Sequence, residues 1–132
     1  MGNPNLDTWH HLVASRDPAG FDDLLADDCV FHSPIVHSPQ EGKAISKLYL
    51  TAAMQVIGKE GFHYVREIVS GNDAMLEFRQ EIDGVQINGV DIIRWNDAGK
   101  IIDFKVMIRP LKAIQLLHAQ MAAYLARMKP PA

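Results

Sequence analysis

The spacing of hydrophobic residues divides the chain into a first half with a helical period and a second half with a strand period. Apolar positions three and four residues apart are typical of helices with one buried face. They are Leu6, Trp9, Leu12 and Val13 in a first helix, Phe21, Leu24 and Leu25 in a short second helix, and Ile45, Leu48, Tyr49, Ala52 and Val56 in a third. Asp17 and Pro18 predict the start of the second helix, since Asp is a favoured N-cap and Pro a favoured first residue. Residues 29–33 predict a short strand, and residues 34–41 a loop.

From Phe62 onward the period is two, which predicts four strands over residues 62–69, 74–82, 85–95 and 101–109. Asp83 and Gly84 form the strongest turn signal, because this dipeptide favours a two-residue hairpin turn. Pro110 ends the last strand and opens a long C-terminal helix with a single apolar stripe. We therefore predict one α+β domain whose helices cover one face of a curved antiparallel sheet.

The turns set the register of the strands, and the register decides which face each side chain occupies. The predicted cross-strand pairs are Phe78–Gly89, Leu76–Asp91, Asp91–Phe104 and His63–Gln80. The resulting inner face is apolar and carries Val65, Leu76, Phe78, Ile82, Ile87, Ile93, Trp95, Ile102, Phe104, Val106 and Ile108. The outer face carries charged residues interspersed with Tyr64, Ile68, Met75, Val90, Ile92, Ile101 and Met107. A monomer would expose that apolar set as a patch, which predicts a homodimer packed through the outer face.

Asp91 is the most informative polar residue, because its predicted neighbours on the inner face are apolar. An ionised carboxylate there is costly. Asp91 either stays protonated and acts as an acid or hydrogen-bond donor, with a pKa above its ordinary value, or is held by a structural hydrogen bond from a helix, a tyrosine or a water. Further candidates are His32 and His63 as catalytic assistants. Glu67 and His37 are as well explained as solvated surface residues.

An apolar ligand pocket is expected between the helices and the inner face. Its predicted lining is Trp9, Phe31, Ser33, Tyr49, Phe78, Phe104 and Ile108 around Asp91, with a volume of about a few hundred Å³, as small-ligand sites usually have. Gly89 lies opposite Phe78, so its missing side chain is expected to leave room there.

Charge and motif content exclude several classes of function. The formal net charge is −3 and there is no basic block, so neither nucleic acid nor an anionic membrane is an expected partner. Metal-binding spacings are missing from the sequence, so we expect no metal site. Glycine-rich phosphate loops and a nucleophile elbow are missing as well. The single cysteine, Cys29, cannot form an internal disulfide. With no secretory signal pattern and no apolar run of about 18 residues, we expect a cytoplasmic protein.

Three segments carry a family resemblance: Leu-Leu-Ala-Asp-Asp-Cys-Val-Phe at 24–31, Glu-Gly-Lys-Ala-Ile at 41–45, and Gly-Val-Asp-Ile-Ile-Arg-Trp-Asn-Asp-Ala-Gly-Lys-Ile at 89–101. In this order the chain resembles the nuclear transport factor 2-like superfamily, especially its SnoaL-like polyketide-cyclase and ketosteroid-isomerase branch. The resemblance implies a cone-shaped barrel of a curved mixed sheet, a pocket closed by the helices, frequent homodimers and usually no cofactor.

The resemblance implies roles for individual positions. Asp91 matches the strand aspartate that the isomerase uses as a protonated oxyanion-hole donor. Ser33, before Pro34, stands where the isomerase has its base aspartate, and Trp9 stands where it has its oxyanion-hole tyrosine. The two tyrosines that support that one are matched by Leu25 and Leu50. Ketosteroid isomerisation by that mechanism is therefore not expected.

The leading hypothesis is a cofactor-free isomerase, cyclase or hydrolase that acts on a small apolar carbonyl- or hydroxyl-bearing ligand. Asp91 would be its acid/base or oxyanion donor, assisted by His32 or His63. A non-catalytic binding protein for a small apolar ligand would use the same pocket, and an accessory or dimerisation module would keep the fold with a vestigial pocket.

Overall fold

The computed structural model describes residues 3–128, which form four α-helices and six β-strands. The helices are α1 (Pro4–Ser15), α2 (Phe21–Leu24), α3 (Lys43–Val56) and α4 (Leu111–Met128). The strands are β1 (Leu25–His32), β2 (Gln40–Glu41), β3 (His63–Ser70), β4 (Asp73–Ile82), β5 (Val85–Trp95) and β6 (Ile101–Arg109). The α+β prediction is confirmed. None of the helices in this part of the chain is long and apolar enough to cross a membrane.

Side-chain caps start the N-terminal helical segments, at Asn3 and at the predicted Asp17. The Asn3 side chain accepts hydrogen bonds from the backbone N–H groups of Asn5 and Leu6 at the start of α1. Asp17 likewise accepts from Ala19 N and caps a 3₁₀ turn, Pro18–Gly20, that leads into α2. Each cap satisfies backbone donors that have no partner within the first turn.

The six strands form one mixed sheet in the order β2-β1-β6-β5-β4-β3. β1 runs parallel to β6, and every other neighbouring pair is antiparallel. β1 begins at Leu25, earlier than predicted, and Gln40–Glu41 in the predicted loop pairs with it as β2. The sheet is curved and does not close, since β2 and β3 lie at its two edges.

The β4–β5 hairpin has the predicted register, with Leu76 opposite Asp91 and Phe78 opposite Gly89. The β5–β6 register differs by two residues, so Asp91 lies opposite Val106 rather than Phe104. Since a shift of two keeps the alternation, Asp91 remains on the inner face.

Two irregularities reverse predicted side-chain directions. In β3, Tyr64 pairs with Phe78 and Arg66 with Glu77, so Val65 is the extra residue of a bulge. Val65 is consequently 44% exposed and Tyr64 points inward, opposite to the prediction. His63 lies opposite Arg79 rather than Gln80. At the start of β6, Trp95 pairs with Ile101 and Arg94 with Asp103, which leaves Ile102 as the extra residue.

The inner face packs against α1, α3 and α4 and supplies most of the core. Its fully buried side chains include Leu76, Phe78, Ile87, Ile93, Trp95, Ile101 and Phe104. Two polar residues of these strands, Gln80 and Asp91, are buried, whereas Glu67 and His63 are exposed. A helical layer on one face of a curved sheet thus leaves Asp91 beneath the helices.

The outer face combines exposed apolar side chains with a polar network. Ile68 is 58% exposed and Met107 51% exposed, and Met75 lies between their strands. Next to them, Arg66 Nε donates to Glu77 Oε1 at 3.2 Å, and Asn88 Nδ2 donates to Glu77 Oε2 at 2.9 Å. The apolar patch predicted for this face is therefore present, without Tyr64 and Ile101.

Candidate active site around Asp91

Asp91 lies at the centre of β5 with its side chain directed into the apolar layer. It is 7% exposed and lies between Leu76 on β4 and Val106 on β6, both buried. Burial raises the pKa of the Asp91 carboxyl from 3.8 to about 7, and a hydrogen bond from Tyr64 acts in the opposite direction. Both protonation states of Asp91 are therefore populated near neutral pH.

A directed chain of two hydrogen bonds ends on this carboxyl. Trp9 Nε1 donates to the Tyr64 hydroxyl at 3.0 Å, and that hydroxyl donates to Asp91 Oδ2 at 2.7 Å. Since the indole N–H can only donate, it fixes the direction of the chain toward the carboxyl. Burial, followed by the charge of Asp91, raises the pKa of Tyr64 well above its ordinary value. Tyr64 is thus a neutral donor.

The cavity beside Asp91 is apolar and small. Aromatic and aliphatic side chains line it: Trp9, Val13, Phe21, Leu50, Ala53, Met54, Ile57, Phe62, Tyr64, Phe78, Phe104 and Val106. Its volume is about 70 Å³ rather than the expected few hundred. A cavity of about 150 Å³ can take up benzene, so this one accommodates roughly three or four heavy atoms.

Phe78 is one reason for the smaller volume. A Cβ atom at Gly89 would overlap the Cζ atom of Phe78 and would lie 2.9 Å from the carbonyl oxygen of Met107. The Phe78 ring therefore occupies the space that the missing Gly89 side chain was expected to leave open. Gly89 is required here for the close approach of a ring.

The structure brings together some of the predicted lining residues. Trp9, Phe78 and Phe104 line the cavity with Asp91. Phe31 stacks on Phe104 at 6.1 Å between ring centroids and on Tyr49 at 5.8 Å, as a second layer outside the lining. Ser33 and Ile108 instead line a separate surface groove together with His37.

The two candidate histidines lie elsewhere. His32 Nε2 is 2.9 Å from Asp103 Oδ1 and also borders the Ser33 groove. His63 is exposed, with Nδ1 3.0 Å from the carbonyl oxygen of Gly61. Neither belongs to the lining of the Asp91 cavity, so the geometry offers no direct assistance from them.

Tyr64 is the site residue that the sequence reasoning placed on the wrong face. Strict alternation along β3 puts it outside, and only the bulge at Val65 brings it to Asp91. One signal was available: Asp91 needed a donor, and Tyr64 is the only tyrosine of the chain that falls in a strand. Within residues 3–128, no group of three His, Cys, Asp or Glu side chains could hold a metal ion.

A comparison of the sequence with models of protein families gives a match over most of the chain. The model of the SnoaL-like domain matches residues 6–104, about three quarters of the chain. The chain belongs to the SnoaL-like domain family. No curated protein matches this SnoaL-like domain at a significant level.

Solved structures extend the likeness over nearly the whole chain. A steroid delta-isomerase from Pseudomonas aeruginosa is 37% identical with a TM-score of 0.88, covering 94% of this chain and 90% of that one. An uncharacterised protein with a cystatin-like fold from Silicibacter pomeroyi is 32% identical with a TM-score of 0.83, covering 91% and 84%. A proposed SnoaL-like polyketide cyclase from Jannaschia sp. is 14% identical with a TM-score of 0.67, covering 89% and 95%, and shares the fold alone.

Proposed function

We propose that this SnoaL-like domain is a cofactor-free enzyme that moves a proton on a small carbonyl- or hydroxyl-bearing molecule, with Asp91 as the acid/base group. One observation carries the proposal: the carboxyl is buried in an apolar cavity, yet only Oδ2 is hydrogen-bonded by the described residues. Oδ1 is therefore available to a ligand. A carboxyl with a pKa of about 7 can both accept and return a proton near neutral pH.

The substrate class is limited by the cavity. A ketone oxygen or an adjacent carbon can reach Asp91 in about 70 Å³, whereas a four-ring steroid nucleus is far larger than the single benzene ring that fills about 150 Å³. The similarity to the steroid delta-isomerase therefore supports proton-transfer chemistry on a smaller carbonyl compound.

Exchange of ketone protons for deuterium tests this chemistry. We expect the protein in D₂O to accelerate exchange at the carbons next to the carbonyl of acetone, as monitored by proton NMR. The Asp91 carboxylate would take the proton and return a deuteron acquired from solvent. Asp91→Asn should reduce the accelerated rate by about 100-fold or more, as loss of a general base usually does.

The controls separate Asp91 from general surface catalysis. Asp97→Asn, at an exposed carboxylate in the β5–β6 loop, should leave the rate unchanged. Tyr64→Phe removes a hydrogen bond that lowers the pKa of Asp91, so the rise of the rate with pH should move to higher pH. Full exchange activity in Asp91→Asn would contradict the proposal. Binding of acetone without exchange in the wild type would favour the binding-protein alternative.

We also propose that the protein is a homodimer that pairs its outer sheet faces. Ile68, Met75 and Met107 are exposed there beside a network containing both signs of charge, which a two-fold contact can match with itself. Sedimentation at micromolar concentration should give twice the chain mass. Charge insertion at Val90 and Ile92 should give monomers, while Glu at exposed Lys112 on α4 should not. A monomer mass that is independent of concentration would refute the dimer.

A further inference from the structure

A surface groove lies directly outside the Asp91 cavity, between the end of α1 and the turn that joins α3 to β3. Its volume is about 380 Å³, several times that of the cavity. Val13, Gly58, Phe62 and Tyr64 line both spaces. These four residues are therefore the wall between the groove and the buried carboxyl.

Phe62 is the part of that wall best placed to move. Its ring packs at 5.1 Å between centroids against both Tyr64 and Phe78, and its side chain is only half-buried. It follows Gly61, which has a φ of 89°, a conformation that glycine adopts readily. Because the ring borders both spaces, a ligand that extends from the groove into the cavity requires this ring to turn aside.

The rim of the groove has more positive than negative charge. Arg16 and Lys59 border it, and neither forms an ion pair within residues 3–128. Glu60 is the one carboxylate in the groove lining. Glu67 lies outside that lining, with its Oε2 atom 2.6 Å from His10 Nε2. The rim also contains the imidazoles of His10 and His63.

Backbone hydrogen bonds fix the main-chain positions of Arg16 and Lys59. Arg16 caps α1 in a left-handed conformation with a φ of 55°, and its N–H donates to the carbonyl oxygen of Leu12 at 2.9 Å. Lys59 lies in the short turn after α3, where its N–H donates to the carbonyl oxygen of Ile57 at 2.7 Å. Both side chains therefore start from fixed points beside the same groove.

We infer that groove and cavity together bind an amphipathic anion: a small carbonyl end at Asp91 and a carboxylate or similar anionic group between Arg16 and Lys59. This inference rests on the proposed function, because it assigns the other end of the same substrate. Arg16 and Lys59 outnumber the single carboxylate of Glu60 in the groove lining, so the groove attracts an anion. The apolar wall between these two cations and Asp91 suits a short methylene chain. The substrate class is thus a short-chain oxo acid rather than a neutral ketone.

Matched acid and amide probes test the inference. The probes are 4-oxopentanoate, 5-oxohexanoate and 6-oxoheptanoate with their amides, titrated by calorimetry and by the intrinsic fluorescence of Trp9 and Trp95. For the chain length that fits best, we expect the acid to bind about fivefold or more tightly than its amide, a ratio in the range of exposed charge pairs. The variant R16Q/K59Q should reduce this ratio to about one.

A matched variant controls for net charge. K112Q/R127Q removes the same two charges at exposed positions on α4, and should keep the ratio. Equal affinities of acid and amide for the wild type would overturn the inference. They would mean that Arg16 and Lys59 only complement the carbonyl ends of α1 and α3. An equal fall of the ratio in the control variant would overturn it as well.

Asp91→Asn separates the inference from the proposed function. If both are correct, this variant slows deuterium exchange and leaves the affinity ratio of acid to amide unchanged. Exchange that is unaffected by Asp91→Asn, with the ratio intact, would refute the role of Asp91 and keep the groove. A ratio of one in the wild type, with exchange slowed by Asp91→Asn, would refute the groove and keep Asp91.

Discussion

Replacing Asp91 with Asn should make the protein more stable than the wild type above pH 7, although the substitution changes the candidate catalytic group. The folded-state pKa of Asp91 is raised from 3.8 to about 7 by burial, so the wild type must ionise a buried carboxyl at alkaline pH. A shift of this size corresponds to a loss of folding free energy on the order of 4 kcal/mol across the titration. Asn has the same shape, can still accept from Tyr64, and carries no charge.

The sign of the pH dependence follows from proton counts. Between about pH 4 and pH 7 the folded protein keeps the Asp91 proton while the unfolded chain has lost it. Stability from this group is therefore present at low pH and decreases as pH rises toward 7. Urea unfolding at pH 4.5 and pH 8 measures it: the free-energy difference between Asp91→Asn and wild type should change by several kcal/mol between the two conditions.

A control isolates the contribution of Asp91 from that of other carboxylates. Asp22 and Glu77 have pKa values lowered by Lys47 and by Asn88, so they favour the opposite pH trend in every variant. Their contributions to the free energy of unfolding are the same in Asp91→Asn and in the wild type, so they cancel in the difference between the two. Asp97→Asn should show no such change. A constant difference between Asp91→Asn and wild type at all pH values would show that Asp91 is an ordinary ionised carboxylate.

Gly89→Ala should destabilise the fold by about 1–3 kcal/mol, the usual range for an overpacked core. A methyl group at this position would overlap the Phe78 ring and approach the Met107 carbonyl oxygen to 2.9 Å, and neither neighbour is free to move far. Phe78 is buried under the helices and Met107 O belongs to the β6 backbone. Chemical denaturation monitored by circular dichroism gives the difference directly.

A double-mutant cycle identifies the cause. Phe78→Leu removes the ring atom that the new methyl group would overlap, so G89A/F78L should be less destabilised than the sum of its single variants by about 0.5 kcal/mol or more. Strict additivity would assign the cost to the β6 backbone instead. Unchanged stability in Gly89→Ala would show that the close contact relaxes without cost.

The sequence predicts the fold well wherever a turn fixes the register. Asp83-Gly84 predicts a two-residue turn, which pairs Ile82 with Val85, and every predicted β4–β5 pair follows correctly from that turn. The same hairpin places Asp91 and Gln80 on the buried face, where the structure has them. Hydrophobic spacing likewise identifies the helices, because only one face of each can be buried.

The site was harder to predict because it depends on a bulge and on side-chain volume. Alternation assigns Tyr64 to the outer face and Val65 to the inner face, and one inserted residue reverses both. The alternation of polar and apolar residues along the sequence does not reveal such an insertion. The cavity volume depends on how the rings of Trp9, Phe62 and Phe78 fit together, which spacing alone does not determine.

The parallel pairing of β1 with β6 determines the order in which this protein can assemble. β3 to β6 form a meander whose turns each close a few residues, whereas Val30 pairs with Asp103, 73 residues further along the chain. Closing so long a loop costs more chain entropy and slows folding. We therefore expect an early hairpin sheet with an uncovered apolar side, and late docking of the N-terminal third. Asp91 would remain in contact with water, as an ordinary carboxylate, until Trp9 arrives with α1.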